Sequence, residues 1–288
     1  MKKSKLAKVL TVSLAALMVF GLASCGGGSG KVSDKDITVI SREEGSGTRD
    51  AFTELTGVLQ DDVDKTVDTA EISNSTSVVT QSVAGNDAAI GYISLGSLDD
   101  TVKAVKVDGV EATVDNIKSG DYKIQRPFNI VTKGEVKELP ADFIKFIMSK
   151  DGQKIIEDEG YISVNDNAGA YNASGLKGSI TLAGSTSVSP VMEVLADKYK
   201  ELNSGVTIEI QQTGSGAGIQ STTEGVCDIG MASRELKDEE TSQGLKSEEI
   251  ALDGIAVIVN KDNGVEDLSM DQIMKIFTGE ITNWADVK

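Results

Sequence analysis

Residues 41–50 read SREEGSGTRD and combine an arginine with glycine and hydroxyl residues. The segment follows a short apolar run typical of a strand and precedes residues 51–55, which are typical of a helix. A turn here leaves the first helical N–H groups without helical partners, and the helix dipole adds positive potential. Arg42 carries a planar set of donors that suits a tetrahedral oxyanion. The segment predicts an anion site, with an ordinary glycine turn before a helix as the simpler alternative.

Further junctions of this kind occur later in the chain. Residues 184–190 (GSTSVSP) and residues 213–218 (TGSGAG) each stand between a strand-like run and a helical run. A fourth polar turn, residues 232–234 (ASR), follows another strand-like run. Several independent Ser/Thr-rich helix starts are hard to explain as turns alone. If they converge, their N–H and hydroxyl donors bind an oxyanion without a cluster of full charges.

The residue types also exclude several chemistries. Histidine is absent, which removes Ser-His-Asp and Cys-His catalysis and the commonest zinc ligand sets. No P-loop motif is present. A hydrolase that uses Ser46 or Ser215 stays open as an alternative, although Glu44 and Thr213 replace the first glycine of a nucleophile elbow. We predict no catalytic residue, no metal and no cofactor.

The balance of charge limits the partners. The chain has 288 residues, 45 of them acidic and 28 basic, which gives a net charge of −17. This length suggests about two domains, and this charge repels nucleic acid and anionic lipid at long range. An anion site here must work through donors at contact distance. The two cysteines do not make a disulfide framework, and Cys227 is predicted to pack as a small buried residue.

The first 25 residues have the features of a targeting segment and lie outside the fold prediction. A basic start precedes an apolar run over residues 9–22, which is short for a membrane span. The run ends in LASC, which resembles the lipobox of bacterial lipoproteins, in which Cys25 is acylated. Residues 26–35 then form a flexible tether. An ordinary secretory signal with a chance cysteine is the alternative.

The elements that position the junctions follow an α/β pattern. Strand-like runs alternate with amphipathic helical runs in residues 36–164 and again from residue 179 onwards. The small and polar residues 165–178 separate these two parts and are predicted to form a surface linker.

Six motifs carry a resemblance to a known family. They are SREEGSGTRDAF, DAAIGYISLGSL, ITLAGSTSVSP, TGSGAGIQ, DIGMASREL and FTGEITNWADV. Across residues 37–288 the chain resembles the phosphate-binding lipoproteins of bacterial phosphate ABC transporters. The resemblance implies an α/β, two-lobed periplasmic-binding-protein fold of type II, with the ligand in the cleft between the lobes.

The resemblance also implies particular roles for residues of this chain. The implied phosphate contacts are Arg42, Ser46, Gly47, Thr48, Thr186, Ser187, Ser215 and Ser233. Glu44 is the residue implied to hold Arg42 in place. One position departs from the pattern, because many members place an aspartate after the G-A-S run, where this chain has Ser233 followed by Arg234. A serine accepts the proton of phosphate more weakly than a carboxylate does.

The order of the motifs differs from the order that the resemblance implies. In the family the AGSTS, GSGAG, DIGMAS and TNWADV segments precede SREEGSGT. In this chain SREEGSGT comes before all four of them. The chain is therefore predicted to be circularly permuted. We expect one lobe from residues 36–125 plus 259–288 and the other from residues 127–257. Residues 125–130 and 255–259 are the expected hinge, and Asp36 and Lys288 are expected to be neighbours.

The function implied by the resemblance is extracytoplasmic binding of inorganic phosphate and delivery to a membrane ABC permease. The protein is expected to be a monomer, anchored to the outer face of the cell membrane through Cys25, without a nucleic-acid partner. Binding of another tetrahedral oxyanion, such as sulfate or molybdate, is the alternative within the same class. A phosphate-ester hydrolase is the alternative from another class.

Overall fold

The computed structural model describes residues 34–287. Within them the helices are α1 (Gly47–Thr56), α2 (Thr76–Gly85), α3 (Val114–Lys118), α4 (Glu138–Ile147), α5 (Lys150–Asp158), α6 (Ser189–Leu202), α7 (Ser215–Glu224), α8 (Asp238–Thr241) and α9 (Met270–Phe277). The strands are β1 (Thr38–Arg42), β2 (Leu59–Gln60), β3 (Val63–Asp64), β4 (Glu71–Ser73), β5 (Ala89–Ser94), β6 (Val102–Ala104), β7 (Lys106–Val107), β8 (Gln125–Lys133), β9 (Ile162–Ser163), β10 (Gly178–Gly184), β11 (Val206–Gln212), β12 (Ile229–Ala232), β13 (Leu245–Asn260) and β14 (Asp267–Leu268). None of the described helices is both long and apolar enough to cross a membrane.

One mixed sheet runs through the described chain in the order β11-β10-β12-β8-β13-β5-β1-β4. Its outer strands are parallel at both ends: β10 pairs with β11 and β12, and β1 pairs with β4 and β5. The central strands β8 and β13 are antiparallel to their neighbours. Within each of these two parallel groups, the carboxyl ends of the strands lie at one edge, which is where ligands bind in α/β proteins.

Strand β13 is long enough to pair with strands on both sides of the sheet centre. It pairs with β8 up to Gly254 and with β5 from Ile255 onwards. We call residues 36–124 plus 255–287 the first half and residues 125–254 the second half. Contacts join the described residues 34–287 into one compact unit, so the movement of the halves as separate lobes stays a prediction.

Each half has an apolar core of its own that contains a pair of aromatic rings in contact. In the first half, Phe52 of α1 stacks on Tyr92 of β5 with ring centroids 3.9 Å apart. In the second half, Phe143 of α4 meets Tyr199 of α6 edge-on at 5.0 Å. All four rings are buried, and each packs a helix against the sheet or against another helix. These cores fix the helices whose first turns build the site described below.

The predicted linker lies between α5 and β10, and its residues 165–177 contain no helix or strand. It is nevertheless fixed to the second half. The Tyr171 hydroxyl donates to Asp142 Oδ2 at 2.6 Å, and the Asn203 side chain accepts from the backbone N–H groups of Ser174 and Gly175 at 3.1 Å.

The two ends of the described chain lie side by side. Asp36 forms a β-bridge with Asn283, and the Trp284 N–H donates to the Lys35 carbonyl at 3.0 Å. The expected neighbours were Asp36 and Lys288. Lys288 lies outside the described residues, as do the predicted targeting segment, Cys25 and most of the predicted tether.

Candidate functional site

The carboxyl ends of the strands from both halves meet in a cluster of side-chain hydroxyl groups. Each member is at most 7% exposed and shares a hydrogen bond with another member. We call this group the hydroxyl cluster: Thr48, Thr76, Ser185, Thr186, Ser187, Ser215 and Ser233.

The first turn of α1 supplies the part of the site from the predicted SREEGSGTRD segment. Ser46 is the N-cap and its hydroxyl accepts from the Arg49 N–H at 3.4 Å. Gly47 packs so closely that a Cβ there would stand 2.4 Å from Ser215 Oγ and 2.7 Å from Ser233 Oγ. Only glycine allows the start of α1 to approach the second half at this distance.

The second half brings three of its turns to the same place. Thr186 and Ser187 follow β10, Ser215 opens α7, and Ser233 follows β12. The Ser215 and Ser233 hydroxyls are 3.3 Å apart, and the Ser233 N–H donates to Ser215 Oγ at 3.2 Å. Ser185 links two of the turns, since its hydroxyl donates to Ser233 Oγ at 3.0 Å and accepts from the Ser187 N–H at 3.2 Å.

Hydrogen bonds cross directly between the halves within the cluster. Thr48 Oγ1 and Ser187 Oγ are 2.9 Å apart. The Gly216 N–H donates to the Gly45 carbonyl at 2.9 Å, so the turn before α1 and the first turn of α7 also touch through their backbones. The described conformation is therefore one in which the two halves are in contact at the site.

The guanidinium of Arg42 lies beside the hydroxyl cluster and is buried, 2% exposed. Its Nη2 donates to Thr186 Oγ1 at 3.1 Å, and its Nε donates to the Ser73 carbonyl at 3.2 Å. Its Nε and Nη2 also donate to the two carboxylate oxygens of Glu43, both at 2.8 Å. This bidentate geometry holds the guanidinium in one orientation.

The predicted partner of Arg42 was Glu44, and that prediction is wrong. Glu44 is exposed and lies in the turn before Gly45, whose φ is +81°. The chain leaves β1 at Arg42 and turns only at Glu44, so Glu43 is the acid that stays beside the guanidinium while Glu44 points to solvent. The Glu43 carboxylate also lies against the start of α7, since Oε1 stands 3.4 Å from the place of a Cβ at Gly214.

The structure brings together all eight residues that the resemblance implied as contacts, and it adds two hydroxyl residues. Thr76 opens α2, and its Oγ1 lies 3.1 Å from Ser187 Oγ and 3.3 Å from Thr186 Oγ1. The signal was present in the sequence, because residues 74–77 (NSTS) form another Ser/Thr-rich helix start. Ser185 sits in the predicted GSTSVSP segment but was not singled out.

A buried ion pair lies next to the cluster, where β8, β13 and β5 meet. Arg126 donates from Nη2 to Asp253 Oδ2 at 3.1 Å, and both side chains are 1% exposed. Arg126 Nη1 donates to the Ser233 carbonyl at 3.2 Å, and Ser94 Oγ donates to Asp253 Oδ1 at 2.9 Å. Burial raises the pKa of Asp253 to about 6, although Arg126 opposes the shift, and burial lowers the pKa of Arg126. Sequence reasoning missed this pair, whose members are 127 positions apart.

Two cavities flank the cluster. One of about 760 Å³ is lined in part by Thr76, Thr186 and Gln212, and one of about 510 Å³ by Asp50, Arg126 and Arg234.

Among the described residues, no group of three or more His, Cys, Asp or Glu side chains is placed to hold a metal ion. Cys227 is buried, 7% exposed, and its Sγ contacts Thr222 Oγ1 at 3.3 Å, which agrees with the predicted packing role.

Comparison with known proteins identifies the family. The profile of the PBP superfamily domain matches residues 28–151 and 169–288. A curated relative, phosphate-binding protein PstS 2 of Streptococcus agalactiae serotype V, is 52% identical over 100% of this chain and 99% of its own length. A crystal structure of a phosphate-binding protein of a phosphate ABC transporter from Streptococcus pneumoniae TIGR4 is 49% identical and has a TM-score of 0.72. It covers 88% of this chain and 100% of that one.

These comparisons bear on the order of the segments as well. The match to the S. agalactiae protein runs through both full lengths, so that relative shares the order found here. Phosphate-binding protein PstS of Bacillus subtilis is 38% identical over only 38% of this chain and 37% of its own length. The permutation relative to other members stays a prediction. The predicted periplasmic-binding-protein fold is confirmed, and the chain belongs to the phosphate-binding protein family within the PBP superfamily.

Proposed function

We propose that the protein binds inorganic phosphate outside the cytoplasmic membrane and delivers it to an ABC permease. The observation that carries the proposal is the hydroxyl cluster beside Arg42, built by both halves in a chain whose relatives are named phosphate-binding proteins. The proposed contacts are Arg42, Ser46, Gly47, Thr48, Thr186, Ser187, Ser215 and Ser233.

The donors of the site suit a small, fully enclosed oxyanion. Hydroxyl groups and the first N–H groups of α1 and α7 supply hydrogen bonds in several directions, as the four oxygens of phosphate require. Glu43 neutralises Arg42, so the site has little net positive charge of its own. Helix dipoles and short hydrogen bonds therefore balance the anion, which is how a chain of net charge −17 holds it.

Entry of the anion requires the two halves to separate, because the hydroxyls that would surround it bond one another across the cleft. We infer that the first half and the second half move as lobes, with the predicted boundary at residues 257–259 shifted to the Gly254/Ile255 step. The hinge is where β8 begins and where β13 changes partner, at Gln125 and at the Gly254/Ile255 step.

The remaining parts of the proposal concern the setting of the protein. Phosphate-binding components of ABC transporters work on the outer side of the membrane, and Cys25 is the proposed site of lipid attachment. We propose a monomer that binds phosphate without chemical turnover.

Titration calorimetry with inorganic phosphate and an assay with a chromogenic phosphomonoester test this proposal. We expect phosphate to bind at one site per chain and the ester not to be hydrolysed. Sustained hydrolysis that is abolished by Ser46→Ala or Ser215→Ala would show an enzyme instead. Equal or tighter binding of sulfate or molybdate would assign the site to another oxyanion.

A further inference from the structure

Arg234 follows Ser233 directly and reaches from the second half to the first. Its side chain is 8% exposed, and its Nε lies 2.9 Å from Oδ2 of Asp50 in the first turn of α1. Within its own half, its Nη1 and Nη2 donate to the two carboxylate oxygens of Glu240, both at 2.8 Å. One arginine is therefore fixed by a bidentate partner in the second half and presented to an acid of the first half.

The contact with Asp50 is of a different kind from the contact with Glu240. Arg234 Nε and Asp50 Oδ2 are both buried and neither makes a hydrogen bond, although they are 2.9 Å apart. The N–H is thus not aimed at the oxygen, and the attraction is between charges. Lys237 Nζ adds a second cation at 3.6 Å from the same oxygen.

The Arg234–Asp50 ion pair lies directly beside the hydroxyl cluster. The Asp50 N–H donates to the Ser46 carbonyl at 3.0 Å, so Asp50 closes the helical turn that contains Gly47. A Cβ on Gly47 would be 2.7 Å from Ser233 Oγ. Two adjacent residues of the second half therefore contact one turn of α1. Ser233 packs against Gly47 at the start of the turn, and Arg234 attracts Asp50 at its end.

We propose that Arg234 is a positioning residue of the phosphate site. By pairing with Asp50 it holds the first turn of α1 against Ser233 and thereby stabilises the conformation in which the halves enclose the anion. The proposal rests on the proposed function. When the halves separate, Asp50 returns to water while Arg234 stays paired with Glu240, and the attraction across the cleft is lost. The contact with Asp50 therefore acts selectively on the enclosed state.

The expected effect follows from that selectivity. A partly exposed ion pair contributes little to stability in general, about 1 kcal/mol or less, which is a factor of about five in an equilibrium. Because the pair forms only in the enclosed state, its loss should appear in the release of phosphate. We expect Asp50→Asn and Arg234→Gln each to speed phosphate release about two- to fivefold, with little change in the rate of binding. The double variant should release phosphate no faster than the faster single variant.

A matched control is available within the second half. Asp228 accepts from Lys137 Nζ at 2.9 Å, its side chain is 19% exposed against 27% for Asp50, and both partners belong to the same half. Asp228→Asn therefore removes an aspartate of comparable exposure from an ion pair that does not cross the cleft, although its lysine partner is far more exposed than Arg234. We expect it to leave phosphate release unchanged.

The experiment measures release of inorganic phosphate from the full chain by displacement kinetics at low and at high KCl, beside urea unfolding of each ligand-free variant. In the parent, release should quicken with salt, and the Asp50→Asn variant should lose most of this dependence. Release that is equally slow in Asp50→Asn and Asp228→Asn would overturn the proposal. The proposal would also be overturned if the faster release in Asp50→Asn were fully accounted for by a lower urea unfolding midpoint of that variant.

Arg234→Lys separates a charge effect from a folding effect if Arg234→Gln folds poorly. Lysine keeps the cation facing Asp50 but loses the bidentate pairing with Glu240, so we expect partial restoration of slow release. Failure of the parent chain to bind phosphate at all would contradict the proposed function itself, and that result is distinguishable from unchanged release in the variants.

Discussion

Gly47→Ala tests most directly whether the close approach of the halves is needed for binding. Gly47 is the first residue of α1, and its φ is not in the left-handed region, so alanine fits the backbone conformation. The added Cβ is what would not fit, since it would stand 2.4 Å from Ser215 Oγ and 3.1 Å from Ser215 Cβ. The serine hydroxyl can rotate away, but its Cβ cannot, so the start of α1 must move from the second half.

The size of the effect follows from the cost of overpacking. An extra methyl group in a well-packed site costs about 1–3 kcal/mol. If that cost falls on the enclosed state alone, the dissociation constant for phosphate rises about 5- to 150-fold. The open protein is not penalised, and alanine in a helix is favoured over glycine by roughly 0.5–1 kcal/mol. We therefore expect weaker binding together with an unchanged or slightly higher unfolding midpoint.

Calorimetric titration with phosphate and urea unfolding of the ligand-free protein measure the two quantities. Gly85→Ala is the matched control, because Gly85 also lies in a helix but a Cβ there would meet nothing within 4 Å. This control should bind phosphate as the parent does. Parental affinity in Gly47→Ala would refute the inference that the halves must meet at Gly47 for phosphate to be held.

Four further predictions follow from the same structure. Ser233→Ala should weaken the binding of phosphate more than the binding of sulfate, because it removes an acceptor for the proton of phosphate. The preference for phosphate over sulfate should fall about tenfold, which competition titrations measure. Asp253→Asn should lower stability in urea by about 3–5 kcal/mol, since it leaves Arg126 buried without an anion, whereas Ser94→Ala should cost less. Burial acts to raise the pKa of Glu240, but hydrogen bonds from Arg234 and Lys237 lower it overall. Its contribution is therefore present above the usual value of 4.5 and lost as pH falls below it, so the urea midpoints of the parent and Glu240→Gln should converge in acid. Finally, a chain opened within residues 165–177 and joined by a short linker between residues 36 and 287 should still fold and bind phosphate by calorimetry, and failure to fold would contradict the permutation.

The junctions themselves were predictable because strand, turn and helix are local features. The GSGT and GSTS segments carry their turn residues within a few positions, and the structure places a helix after each one. Within each half the turns meet because parallel strands end at a common edge. The two edges then face each other because β5 ends at Ser94 and β12 ends at Ala232, both beside the place where β8 and β13 pass between the halves. The family motifs then selected the eight residues that the structure brings together.

Other features depend on geometry that no local pattern contains. The choice between Glu43 and Glu44 turns on whether the chain bends one residue earlier or later, and two adjacent glutamates look equivalent in the sequence. The pairing of Arg126 with Asp253 requires the register of β8 against β13, which sets these two residues opposite each other. The cross-cleft contact of Arg234 requires knowledge of which helix face the second half meets.

The position of the chain ends bears on the predicted circular permutation. Asp36 bridges to Asn283 within the first half, so the two ends of the described chain meet on a single half, away from the cleft. The 165–177 segment has no helix or strand and is fixed within the second half alone. Neither the chain ends nor this segment crosses from one half to the other, and the crossing is left to β8 and β13. A permutation between these two places, as predicted, would therefore leave the hinge and the hydroxyl cluster unchanged.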